Sequence, residues 1–431
     1  MVASLRIGYL ERMRSSLAFL FLLLLWMFAG PAAAQQGSLP DGLELPETPE
    51  AALQFLHLGA RADQPQMIAV ALERGADIEG LNPRGNRPLQ VAAIYGAAAA
   101  AEFLLAEGAK IDAATEDAWT ALHYAAYEGW REVAEVLLDA GAEIDPRESD
   151  YGNTPLLIAA RRGQLGPAVA LLEAGADLEI RDRADGNTPL INAAFAKHVP
   201  LVAELLARGA DVEASADDGM TALLAAARGS ARTLRRTSPG ASGQQGDTAV
   251  ATAQLLIDVG ADLEATAGLQ GSALHIAARE GATALVETML TAGLAVDFAN
   301  PDNGRTALHE AVDSAQIDTV LFLLEAGANP DARETESEET PLYAAAQLGN
   351  PATVLILLQN GADPDLTDEE GISPLMRAAN VGALQSVRLL LGAGASVDLV
   401  AEDGWTAIEA AKAVGATEIE QALRAAGASQ D

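Results

Sequence analysis

Side chains able to do chemistry are few in this 431-residue chain, and their spacing keeps them apart. There is no cysteine, which excludes disulfide frameworks, thiolate metal sites and cysteine nucleophiles. Of the five histidines, His57, His123, His275 and His309 share the last place of a recurring tetrapeptide, as in Thr120-Ala-Leu-His123. His198 stands alone. Separation by whole copies of a repeating unit denies the four a shared metal ion. No His-x-x-x-His pair, phosphate-cradling glycine loop or Gly-x-Ser-x-Gly elbow occurs. Acidic clusters such as Glu116-Asp117, Asp217-Asp218, Asp368-Glu369-Glu370 and Glu402-Asp403 fall short of a calcium site, because no twelve-residue calcium loop accompanies them. Catalysis needs groups that converge in a pocket. The expectation is no catalytic residue, no cofactor and no metal site, with the acidic clusters solvated. Weak cation or ligand binding stays as an alternative.

Composition narrows the partners. Against 61 acidic side chains stand 27 basic ones, for a net charge of −34. Such a surface repels phosphate backbones and anionic lipid, so nucleic-acid binding and general membrane binding are excluded. Half the residues are hydrophobic but only 4% are aromatic, which points to an alanine-rich chain that folds.

The N-terminus reads as an address. Arg6, Arg12 and Arg14 precede an unbroken apolar run from Leu17 to Ala29, followed by the breaker Gly30-Pro31 and Ala32-Ala33-Ala34. A basic start, a short apolar core and a small-residue site make up a secretory signal peptide. Cleavage is expected after Ala34, with an uncleaved N-terminal anchor as the rival reading. Without residues 1–34 the chain keeps 24 basic and 60 acidic side chains, a net −36. The expected location is the periplasm or the extracellular space. Residues 35–47 then form a linker.

From residue 48 to 431 a period of 33 or 34 organises the chain. Glycines 75, 108, 141, 175, 209, 260, 293, 327, 361, 394 and 427 each follow a leucine-rich stretch. A Thr or Ser opens a tetrapeptide 21 residues before most of them, for example Thr154-Pro-Leu-Leu157, Thr188-Pro-Leu-Ile191 and Thr340-Pro-Leu-Tyr343. The Thr caps a first helix, paired alanines let a neighbour approach closely, and a glycine ends each helix. In the third copy Val133, Val136, Leu137 and Leu138 predict the apolar stripe of a second helix. The step from Gly209 to Gly260 is longer because about 18 residues are inserted within 230–248, including Arg232, Arg235 and Arg236. A mobile, basic loop between two helices is expected there, either a tolerated insertion or a contact for an acidic partner.

This pattern resembles the ankyrin repeat, whose period is 33 and whose signature is Thr-Pro-Leu-His-x-Ala. The resemblance implies an all-α repeat solenoid of about eleven helix-turn-helix units joined by β-hairpin fingers, with degenerate copies at both ends. It also implies that the signature histidines tie neighbouring turns together. Partner contacts in the family come mainly from finger tips and the two positions after the Ala-Ala pair. Carried onto this chain, they point to Tyr95, Tyr127, Arg161, Arg162, Phe195, Arg228 and Arg279, with Trp119 at a finger base facing the same groove. Aromatics and arginines are enriched where interfaces concentrate their energy. The expected function is a non-catalytic, monomeric scaffold that binds another protein, one with basic patches. A secreted effector acting on a host or competitor protein is the alternative.

Overall fold

The computed structural model describes residues 45–228 and 242–428, with side chains described outside 242–247. The signal segment 1–34, most of the linker, and Arg232, Arg235 and Arg236 lie outside the described residues. Eleven helix pairs follow one another among those described, from Pro49–Arg61 with Pro65–Glu73 to Ala407–Ala413 with Thr417–Ala425. No described residue forms a strand. The fingers are loops closed by tight backbone hydrogen bonds, such as Thr115 N–H to the Trp119 carbonyl at 3.0 Å. The array falls into two compact units, residues up to Ala184 and residues from Asp185.

In the first unit the third repeat shows how the sequence builds its helices. Thr120 has extended backbone and its hydroxyl accepts from the His123 N–H, so it caps Ala121–Glu128. Gly129 ends that helix at φ +93°, in the left-handed region that only glycine enters without penalty. The second helix, Arg131–Asp139, buries Val133, Ala134 and Leu137 completely. Val136 and Leu138 are only half-buried. The buried stripe is thus narrower than the four apolar residues suggest, because Ala134 takes a share of the contact face. Gly96 is held for a second reason: a Cβ there would lie 2.6 Å from the Trp130 indole.

The first copy departs from its neighbours. Its leading helix, Pro49–Arg61, is capped by Thr48 rather than by the Gln54 that stands in the signature position. The helix therefore runs straight through the tetrapeptide.

In the second unit the repeat containing the insertion has a second helix of 17 residues, Ser242–Asp258, against nine in the other second helices. The end of the inserted segment is therefore helix, not loop. Capping by Thr188, Thr221, Thr340 and Ser373 repeats the pattern of Thr120.

A row of carboxylates fastens several repeats to their successors. Four residues after the glycines that close the second helices stands an acid, and its oxygen accepts a backbone N–H of the following repeat. In the first unit Glu79 takes Lys110 at 2.8 Å, Asp112 takes Glu143 at 3.0 Å and Asp145 takes Asp177 at 3.2 Å. In the second, Asp297 takes Asn329, Asp331 takes Asp363 and Asp365 takes Ser396, at 2.7–2.9 Å.

Candidate partner-binding face

The signature histidines face inward and work as ties. The Thr120 N–H donates to His123 Nδ1 at 3.1 Å, which leaves the proton on Nε2 to reach the Asn153 carbonyl of the next repeat at 3.3 Å. His275 and His309 repeat this with Arg305 and Glu339 as acceptors. Burial outweighs these bonds and holds all four imidazoles below their usual range, to about 4 for His123 and His309. They are neutral structural groups at neutral pH. Gln90 performs the same task in the second repeat. Its amide oxygen accepts the Arg87 N–H at 2.8 Å and its amide nitrogen donates to the Ala113 and Trp119 carbonyls.

His57 differs because the helix passes through its would-be cap. Its Nε2 reaches the Gly80 carbonyl at 3.0 Å, while the buried Nδ1 has no hydrogen-bond partner. It lines a cavity of about 710 Å³ between the first two repeats, with Leu53, Leu58, Arg61, Leu81 and Tyr95.

Around this cavity and along the first unit lie five of the eight candidate contact residues. Tyr95 is 41% exposed, with the Arg61 guanidinium 4.7 Å above its ring. Trp119 is half-buried and packs on the rings of His123, Tyr124 and Tyr127 at 5.1–5.7 Å. Arg162 stacks over Tyr127 at 4.1 Å, and both Arg161 and Arg162 are exposed. The Tyr124 hydroxyl donates to Asn86 at 3.0 Å, and burial followed by the nearby Asp117 charge raises its pKa. Tyr124 belongs to the cluster although it lies outside the two positions after Ala-Ala. Its place one residue after the signature histidine was the available signal.

The second unit holds the other three. Phe195 is 52% exposed and Arg228 is exposed, while Lys197 donates to the carbonyls of both. Arg279 is built into an ionic network. It pairs with Glu310 at 2.8 Å, and Glu310 also takes Arg305 at 2.9 Å, which in turn binds Asp313. Burial pushes the Glu310 carboxyl up, but the two guanidinium groups outweigh it and hold its pKa low.

The acidic finger tips are not uniformly solvated. Asp368 is 8% exposed; it accepts the Tyr343 hydroxyl at 2.7 Å and the Ile372 N–H at 2.8 Å. Among the described residues no three metal-ligating side chains converge, and no helix is long and apolar enough to cross a membrane.

Family models of ankyrin repeats match residues 70–125, 112–182, 156–236, 241–334 and 335–431. The chain belongs to the ankyrin repeat family. The crystal structure of the ankyrin repeat domain of Bcl-3, a unique member of the IkappaB protein family, is 27% identical. That alignment covers 56% of this chain and 99% of the other, with a TM-score of 0.46. A search of curated proteins gave no match. Arrays of ankyrin repeats are typically scaffolds for protein–protein interaction.

Proposed function

We propose that this chain is an exported, non-catalytic scaffold that grips another protein on the helix and finger face of its first unit. The observation that carries this reading is the run of Tyr95, Trp119, Tyr127, Arg161 and Arg162. Within it, Arg61 and Arg162 stack on tyrosines that are themselves partly open to solvent. Stacked rings and guanidinium groups are rigid before a partner arrives, so little rotamer entropy is lost on binding. The adjoining cavity gives the face depth for an apolar anchor. Arg279 serves the fold rather than the partner, since its charge is already met by Glu310.

The basic start, apolar core and small-residue site of residues 1–34 support export to the periplasm or beyond. Affinity purification with wild type and a Tyr95→Ala/Tyr127→Ala/Arg161→Ala variant tests the face. Loss of a specific partner by the variant, with a cooperative melting transition retained, is the expected result. Equal recovery by both proteins rejects the site. Mass spectrometry of the exported protein, showing a new N-terminus at Gln35, tests export.

A further inference from the structure

At the far end of the second unit, three successive repeats place an aliphatic side chain where the other repeats do not. Eight residues after the capping Thr340, Ser373 and Thr406 stand Leu348, Val381 and Val414, exposed by 52%, 44% and 48%. The same register elsewhere holds Tyr95, Glu128, Arg162, Ala196, Glu280 and Ser314. Val381 lies beside the turn that follows Leu348: its methyl is 3.7 Å from where a Cβ of Gly349 would be. The finger side of these repeats carries the exposed acids Glu336, Glu369, Glu370, Glu402 and Asp403. Over residues 335–428 there are fourteen acidic side chains and four basic ones.

We infer that Leu348, Val381 and Val414 form a second docking surface, for a basic amphipathic helix of a partner protein. The spacing fits such an occupant. Packed helices recur about every 8–10 Å, and seven residues of an α-helix rise about 10.5 Å. One apolar residue in every seventh place of a helix therefore meets one stripe residue in each repeat. Lysines and arginines flanking that seam face the acidic fingers. The same charge argues against the other occupants: a second copy of this chain brings like charge to the stripe, and an anionic membrane is repelled. Its residues differ from those of the face proposed above, and the inference does not depend on that reading.

Fluorescence anisotropy on the full chain tests the inference. The probe is a labelled 22-residue helical peptide with leucine in every seventh place and lysines flanking the seam. A control peptide replaces the lysines with glutamates. The lysine peptide is expected to bind, to weaken as salt rises, and to lose at least tenfold in affinity against Leu348→Ser/Val381→Ser/Val414→Ser. The Tyr95→Ala/Tyr127→Ala/Arg161→Ala variant should bind it as wild type does, which separates this surface from the first. Val381→Thr, nearly unchanged in shape, serves if the triple variant loses its melting transition, and should weaken binding by several-fold. Equal binding of the two peptides, or undiminished binding by both stripe variants, overturns the inference. So does a sedimentation dimer that the stripe variants disperse, which would assign the surface to a second copy.

Discussion

Glu213 accepts the backbone N–H of Asp262 at 2.8 Å although 49 residues separate them. The equivalent ties span 31 or 32 residues, as between Glu79 and Lys110 or Asp331 and Asp363. The inserted segment therefore leaves the joint between its flanking repeats unaltered. Removing the acceptor should cost about 1 kcal/mol, the usual net worth of such a bond. Glu213→Ala is expected to show that loss in urea unfolding, while Glu213→Gln, which keeps an oxygen in place, stays within a few tenths of wild type.

Stability should fall with acid in a window set by the histidines. Above pH 6.5 folded and unfolded chains both hold neutral imidazoles, and their contribution is complete. As pH drops below 6.5 the unfolded chain takes up protons that the folded His123 and His309 refuse until about pH 4. Each such group removes up to about 1.4 kcal/mol per pH unit across the window. Gln90 shows that an amide performs the same tie without titrating. A His123→Gln/His309→Gln variant should thus keep its melting temperature near neutrality and lose much less between pH 6.5 and 4. Scanning calorimetry over that range is the check.

Two alanines occupy places where other repeats have glycine. Ala118 sits at φ +60° in a finger and Ala315 at φ +52° after a first helix, where Gly129 and Gly163 stand elsewhere. The left-handed region costs an L-residue about 1–2 kcal/mol, more than the added chain entropy of glycine. Ala315→Gly is expected to stabilise the protein by about 0.5–1 kcal/mol in denaturant unfolding. A loss would show that the alanine methyl packs better than its backbone suffers.

Glu310 is the centre of the ionic network in the second unit. Glu310→Ala leaves Arg279 and Arg305 facing each other without a carboxylate and should destabilise by roughly 2–3 kcal/mol, less than a wholly buried pair because Arg279 is partly solvated. Arg279→Ala should cost clearly less, since Arg305 remains on Glu310. The order of the two losses in urea titration decides whether Glu310 is the hub.

Much of this organisation is written locally. Thr120, Gly129 and the paired alanines declare a helix pair because capping and close packing depend on a few adjacent residues. The staple acids also recur in sequence four residues after each glycine, but their charge points to solvent until the facing N–H of the next repeat is known. Long-range roles were hidden for the same reason. Pro88-Leu89 before Gln90 and Ala92 after it mark the histidine's place, but not that an amide there makes the same ties, and Arg279 looks like a contact residue until Glu310, 31 positions on, is found beside it. For Trp119, what sequence leaves open is whether the indole faces a partner or packs on Tyr124 and Tyr127, which only the folded ring positions answer.

The histidine and carboxylate ties run from one repeat only to the next, and this gives the chain a mechanical signature. Drawn apart by its ends, it should yield link by link, each link freeing about 33 residues of slack, or about 110 Å of contour. The link between Gly209 and Gly260 holds 51 residues, and would free about 175 Å. A single long step among short ones in a force–extension trace would therefore mark the moment that repeat lets go.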